Sequence, residues 1–177
     1  SGIGDHDGAR ASYRGALASA RTLGDPYLEG DALNNLGAIE FESGDASEAL
    51  ARYRQARTLQ ERHGNLPAAL IAAKNVAMCE TYLGRPEEAA ALLDSLRPRA
   101  LREGLIEQWT SLTEQLAQVR KTQLRFGEAG RIFASVAEHE AVRSDQRARA
   151  WIGVAESRVW RSDPRGGLAA LDEAQRL

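Results

Sequence analysis

Apolar and small residues recur along this chain in two nested patterns. The longer one has a period close to forty: a small residue stands at Ala9, Ala49, Ala89, Ala129 and Gly167. Four positions past each lies Tyr13, Tyr53, Leu93, Phe133 or Leu171, and seven past lies Ala16, Ala56, Leu96, Val136 or Ala174. Spacings of four and seven trace one face of an α-helix. Two sets of helix-breaking residues punctuate the same frame. One set is Gly4-Asp5, Gly44-Asp45, Gly84-Arg85 and Ser162-Asp163-Pro164; the other is Gly24-Asp25-Pro26, Gly64-Asn65, Gly104 and Ser144-Asp145. Glycine and short polar residues end one helix and start the next, so each forty-residue unit holds two helices.

The pattern predicts helices at about residues 5–23, 27–43, 46–62, 66–83, 86–103, 105–123, 126–143, 146–161 and 164–176. No alternating, strand-like segment competes with them. Short connections make successive helices antiparallel neighbours, and Ala49, Ala89 and Ala129 let the two helices of a unit approach closely.

Leu33-Asn34-Asn35-Leu36-Gly37, followed by Gly44-Asp45, Ala49, Tyr53 and Ala56, resembles the tetratricopeptide repeat signature, with large and small residues on helix A and Ala-aromatic-Ala on helix B. Ala73-Lys74-Asn75-Val76-Ala77, Thr113-Glu114-Gln115-Leu116-Ala117 and Val154-Ala155 keep the frame more loosely. The period exceeds the usual roughly 34 residues and is similar to the long-helix variety of kinesin light chains and large bacterial regulators. The resemblance implies an all-α fold, a right-handed α-solenoid of antiparallel helix pairs. Residues 1–177 would then form a single array: a helix B at 5–23, then pairs at 27–62, 66–103, 105–143 and 146–176. A first repeat lacking its helix A, and a last helix B without a capping helix, lead to the expectation that the chain is a piece of a larger protein. A small protein whose open ends pair with a second copy is the competing expectation.

The resemblance also implies where a partner binds. Helices A line the concave side of such arrays, which selects Asp31, Asn34, Asn35 and Ala38, then Lys74, Asn75 and Met78, then Glu114, Gln115, Gln118 and Lys121. Asn35, Asn75 and Gln115 stand forty residues apart, as a ladder of amides that can donate and accept at once and so pair with the backbone of an extended peptide. Lys74 and Lys121, the only lysines, would hold a carboxylate. Each of these residues has a plainer reading: an amide that ties one helix to the next, and a solvated surface ammonium. Trp109, Trp151 and Trp160, placed on helices A, are either ligand anchors or core.

Composition narrows the function further. Twenty-three basic against 25 acidic residues, without blocks of one sign, give no footprint for nucleic acid or an anionic membrane. No apolar run approaches a membrane span of about 20 residues. The lone Cys79 excludes an intramolecular disulfide, sits in an apolar stretch, and fits a reducing cytoplasm. An Arg-rich chain abundant in Ala, Gly and Leu fits a GC-rich bacterial genome.

Catalysis finds no support. His6, His63 and His139 fall in different units, beside helices B, so no metal site is expected. His139-Glu140 lacks the second histidine four residues on that a zinc-protease helix needs. No glycine run ends in Lys-Ser or Lys-Thr to cradle phosphates. Glu87-Glu88 opens a helix, where negative charge is favoured by the dipole. No cofactor is expected. The sequence therefore points to a scaffold that binds a protein or peptide, within a bacterial signalling or transcription-regulating protein. A self-association module, or a sensor of a peptide or small ligand that switches an attached effector, stands as the alternative.

Overall fold

A computed structural model describes residues 6–177, with the side chains of His6 and Asp7 left aside. The expected helix start at Asp5, the Gly4-Asp5 turn and the His6 side chain lie outside the described residues. Nine helices follow in order: α1 (His6–Leu23), α2 (Pro26–Glu42), α3 (Ala46–Arg62), α4 (Leu66–Tyr82), α5 (Pro86–Arg102), α6 (Ile106–Thr122), α7 (Phe126–Ala137), α8 (Ser144–Val159) and α9 (Pro164–Gln175). No strand occurs among the described residues. They fall into two compact units, one reaching Arg85 and the other running from Pro86 to Leu177.

The turns are built from the punctuation seen in the sequence. Gly24, Gly44, Gly64, Gly84 and Gly104 all take positive φ, between 66° and 89°. That left-handed conformation ends a helix at little cost only for glycine. Leu124 and Ser162 occupy equivalent slots with φ of 59° and 62°. After the turn, Asp25, Asp45, Asn65 and Asp163 each accept from a free backbone N–H of the next helix, satisfying donors that would otherwise be orphaned.

In the first unit α1 packs on α2, α2 on α3 and α3 on α4. Leu17, Ala32, Leu33, Leu36, Ala56 and Ala72 form the core, with Tyr13 and Leu59 at its margin. Gly37 faces the Tyr53 ring so closely that a β-carbon there would lie 2.9 Å from Cε1. The small-aromatic match seen in the sequence is thus a helix A to helix B contact. Ala49, Ala56, Ala89, Leu93, Ala129 and Val136 are all fully buried, whereas Ala16 and Leu171 are exposed; α1 buries Leu17 and Ala20 instead.

In the second unit α5 packs on α6, α6 on α7, α7 on α8 and α8 on α9. Phe133, Val154, Ala155 and Ala170 pack around Ala117, with Trp151 partly buried beside them. The predicted helix 126–143 is shorter than expected and ends at Ala137. Arg147 Nε caps the Ala137 carbonyl at 2.8 Å, His139 lies against the Trp109 ring at 4.9 Å, and Val142 is buried in the connecting segment. Trp160 is not within a helix A: it caps the end of α8, is 68% exposed, and stacks on Phe126. Trp109 is core.

Candidate functional site

The helix-A side chains fall in both units, and each unit is considered by itself. In the first, α2 presents Asp31, Asn34, Asn35 and Ala38, and α4 presents Lys74, Asn75 and Met78; all but Asp31 are half-buried, and Asp31 is exposed. These positions share a helix face because they are spaced by three, four and seven.

Asn75 Nδ2 donates to Asn34 Oδ1 at 3.0 Å, tying α4 to α2. For Asn75 this is the plainer reading, an amide that ties one helix to the next, and its partner is Asn34, forty-one residues away. One side-chain bond satisfies only part of each amide, which carries two donors and two acceptor sites. Asn34 keeps donors, and Asn75 keeps its carbonyl oxygen, for another group. The Asn35 amide makes no hydrogen bond and Lys74 makes no ion pair among the described residues.

Asp31 serves the fold as well as the surface. Gln60, buried on α3, donates to Asp31 Oδ1 at 3.3 Å and to the Tyr27 carbonyl at 3.2 Å. Burial, then the nearby Asp25 charge, pushes the Asp31 carboxyl above its usual range.

Three further side chains complete this face and were not singled out in the sequence. Ile71, 44% exposed, lies three residues before Lys74, and Tyr82, 68% exposed, lies four after Met78. The Tyr82 ring meets Phe41 of α2 edge-on, with centroids 5.5 Å apart. Spacing was the available signal: Ile71, Asn75, Met78 and Tyr82 continue one stripe of α4.

In the second unit α6 presents Glu114, Gln115, Gln118 and Lys121, of which Gln118 is exposed and the others half-buried. Lys121 Nζ lies 2.7 Å from Glu156 Oε2 on α8. The carboxylate that Lys121 was expected to hold is therefore one of the protein's own. The Gln115 amide makes no hydrogen bond among the described residues.

Nothing on these faces resembles a catalytic centre. No group of three or more His, Cys, Asp or Glu side chains is placed to hold a metal among the described residues. Cys79 is fully buried, and burial together with the adjacent Glu80 raises its thiol to about 11, away from nucleophilic use. No described helix is long and apolar enough to cross a membrane.

What the faces offer is amides with spare donors and acceptors, the Lys74 ammonium without an ion pair among the described residues, and half-exposed apolar side chains. Comparison with known proteins agrees with the architecture. The chain is similar in structure to BtubC (BKLC) from P. vanneervenii, with a TM-score of 0.81, 19% identity, and coverage of 98% of this chain and 73% of that one. It is similar to a putative kinesin light chain with nearly identical TPR-like repeats from Podosopora anserina, with a TM-score of 0.76, 15% identity, and coverage of 98% and 87%. It also resembles a signal transduction ATPase with numerous domains, a STAND protein with a tetratricopeptide repeat sensor, from Pyrococcus horikoshii. There the TM-score is 0.75 at 17% identity, over 98% of this chain but 27% of that one. No curated protein matches the sequence. The tetratricopeptide repeat model matches residues 2–62 and 28–102, more than half of the chain, and the chain belongs to the tetratricopeptide repeat family.

Proposed function

We propose that the α2–α4 face of the first unit docks an extended segment of a partner protein, as the recognition element of a larger bacterial regulator of signalling or transcription. One observation carries this reading. On a face otherwise held by its own hydrogen bonds, Asn35 and Lys74 have no side-chain partner among the described residues, while Ile71 and Tyr82 stay exposed beside them. Amides without internal partners suit the backbone of an extended chain, whose N–H and C=O groups need both a donor and an acceptor. Lys74 suits an acidic side chain or terminal carboxylate on that segment, and Ile71, Met78 and Tyr82 an apolar one. Glu114, Gln115 and Gln118 on α6 form a second polar face of the same kind. Lys121 and Asn34 orient their neighbours, and Asp31 accepts from buried Gln60. The regulator context rests on the sensor named for the STAND protein from Pyrococcus horikoshii and on the Arg- and Ala-rich composition.

Selection from a library of unstructured peptides, followed by calorimetry, tests the reading. The variant Asn35→Ala, Lys74→Ala, Asn75→Ala should bind a selected peptide at least about tenfold more weakly, the loss of roughly 1.4 kcal/mol, at unchanged helicity. Equal affinity of the two proteins would remove the face from consideration. A second reading, a ligand sensor that switches an attached effector, is favoured by the tetratricopeptide repeat sensor of that same STAND protein. It requires the radius of gyration to change on ligand binding.

A further inference from the structure

About half of the arginines pair with carboxylates among the described residues, Arg21, Arg52, Arg54, Arg57, Arg85 and Arg120 among them. In the second unit, three arginines without an ion pair among the described residues come together at one cleft. Where α7 begins and α8 ends, Arg131, Arg158 and Arg161 line a cleft of about 160 Å³ that no carboxylate lines. Neither Arg131 nor Arg161 makes an ion pair among the described residues. Glu128 lines an adjoining cleft with Arg131 and Arg161 and is already held by Arg125 at 2.5 Å and Arg120 at 3.4 Å, while Asp163 accepts from the Gly166 N–H at 2.9 Å.

The cleft is shaped by small residues and steadied by fixed bonds. Arg158 Nη1 donates to the Gly166 carbonyl at 2.8 Å, which anchors that guanidinium and leaves its other donors free. Arg161 lies over the bare backbone of Gly127, where a β-carbon would come within 3.5 Å of its Nε. A β-carbon on Gly130 would meet the Cβ of Ser157 at 3.2 Å across the floor of the cleft. Phe126, another lining residue, stacks on Trp160 with rings 5.4 Å apart and 10° from parallel.

Three guanidinium groups that make no ion pair among the described residues repel one another, so the arrangement favours an anion between them. A monoanion would leave most of that charge uncompensated. A phosphate monoester carries close to two negative charges and three strong acceptor oxygens, and the planar fork of arginine matches those oxygens in pairs. The geometry points to a phosphate-binding site: the Arg131–Arg158–Arg161 cleft receives a phosphate monoester, carried either by a phosphorylated side chain of a protein partner or by a small phosphate ester. This site is separate from the α2–α4 face and does not depend on it.

The full chain titrated with inorganic phosphate, with O-phosphoserine, and with a phosphoserine peptide beside its unphosphorylated twin tests the assignment, read by phosphorus NMR and calorimetry. Saturable binding is expected. It should weaken at least about tenfold in Arg131→Ala and in Arg161→Ala, since a charge-assisted bond is removed in each. Both side chains are exposed, so helicity and melting temperature should hold, and Arg99→Ala on α5 should bind as the parent does. A phosphopeptide bound much more tightly than free phosphate would identify a protein-borne group, and equal affinities a small ester. Failure of every probe to saturate, binding indifferent to Arg131 and Arg161, or equal weakening by Arg99→Ala would overturn the site.

Discussion

Arg54 on α3 and Glu80 on α4 form an ion pair across a repeat junction, and forty residues on the same two positions hold Asp94 and Arg120, 2.9 Å apart with their signs exchanged. In both pairs the helix-A member is the more buried: Glu80 is 4% exposed and Arg120 14%, against 60% for Arg54 and 47% for Asp94. What the two junctions share is the pairing, not the sign. A buried charge is tolerated only when an opposite one neutralises it, and each helix A meets that need with the helix B before it.

Glu80 also binds Arg85, so its loss strips two guanidinium groups of a common partner. Glu80→Ala should lower stability by about 2 kcal/mol, less than for a fully buried pair because both arginines reach solvent. Arg54→Ala should cost less than about 1 kcal/mol, since Glu80 keeps Arg85. Exchanging both members, Arg54→Asp with Glu80→Arg, should recover only part of the loss, because Arg85 would then face a second guanidinium. Urea denaturation of the four proteins measures the ordering, and full recovery in the exchanged protein would show that Arg85 contributes nothing.

Gly30 makes room for Gln60. A β-carbon at Gly30 would lie 2.2 Å from Gln60 Nε2 and 2.7 Å from its Cδ. Gln60 cannot simply swing away, because it is buried, donates to Tyr27 and Asp31, and accepts from Asn65 Nδ2 at 2.9 Å. Gly30→Ala should therefore destabilise by about 1–3 kcal/mol, the cost of overpacking plus broken bonds. Gly30→Ala in a Gln60→Ala background should cost much less. A double-mutant cycle with no coupling between the two sites would refute the contact.

Much of this architecture was legible before the structure. The forty-residue frame located the turns because glycine at positive φ and Asp or Asn at the cap are local requirements, written in adjacent residues. The helix over 126–143 was misjudged because its true end depends on Arg147 reaching back to the Ala137 carbonyl and on His139 lying against Trp109. Neither partner belongs to the helix, so no local pattern reveals them. The bond between Asn34 and Asn75 is hidden for a related reason. Equal spacing in sequence relates Asn35 to Asn75, but the side-chain bond between α2 and α4 is made by Asn34, one position round the helix. The buried carboxylates of Glu40 and Glu80 look in sequence like ordinary polar helix ends; only the arginines arriving from α3 show otherwise.

Leu124 stands where five earlier turns carry glycine, at φ 59° and 75% exposed. A left-handed conformation costs a side-chain-bearing residue about 1–2 kcal/mol, and so exposed a leucine recovers little of that by burial. Leu124→Gly should raise stability by about 0.5–1 kcal/mol once the greater freedom of glycine in the unfolded chain is offset. The increase should appear as a higher melting midpoint. A lower midpoint would mean that the Leu124 side chain stabilises the turn more than its backbone strains it.

Cys79 gives the fold an alkaline limit. Its thiol is raised from 9.0 to about 11 by burial and, next, by the Glu80 charge. The folded state therefore binds the thiol proton more tightly than the unfolded state does. Its contribution is fully present below pH 9 and declines as pH rises from about 9 to about 11, beyond which no further loss comes from this group. Tyr53, raised further by its own burial, acts in the same direction at still higher pH. Cys79→Ala should flatten the fall in stability between pH 9 and 11 relative to the parent, at the cost of a small change in packing at neutral pH. A thiol reagent at pH 8 should likewise label the parent only as fast as the chain opens, so that labelling rates follow denaturant concentration. Immediate labelling in the absence of denaturant would show that Cys79 is reached from solvent in the folded protein and would remove the basis for the alkaline limit.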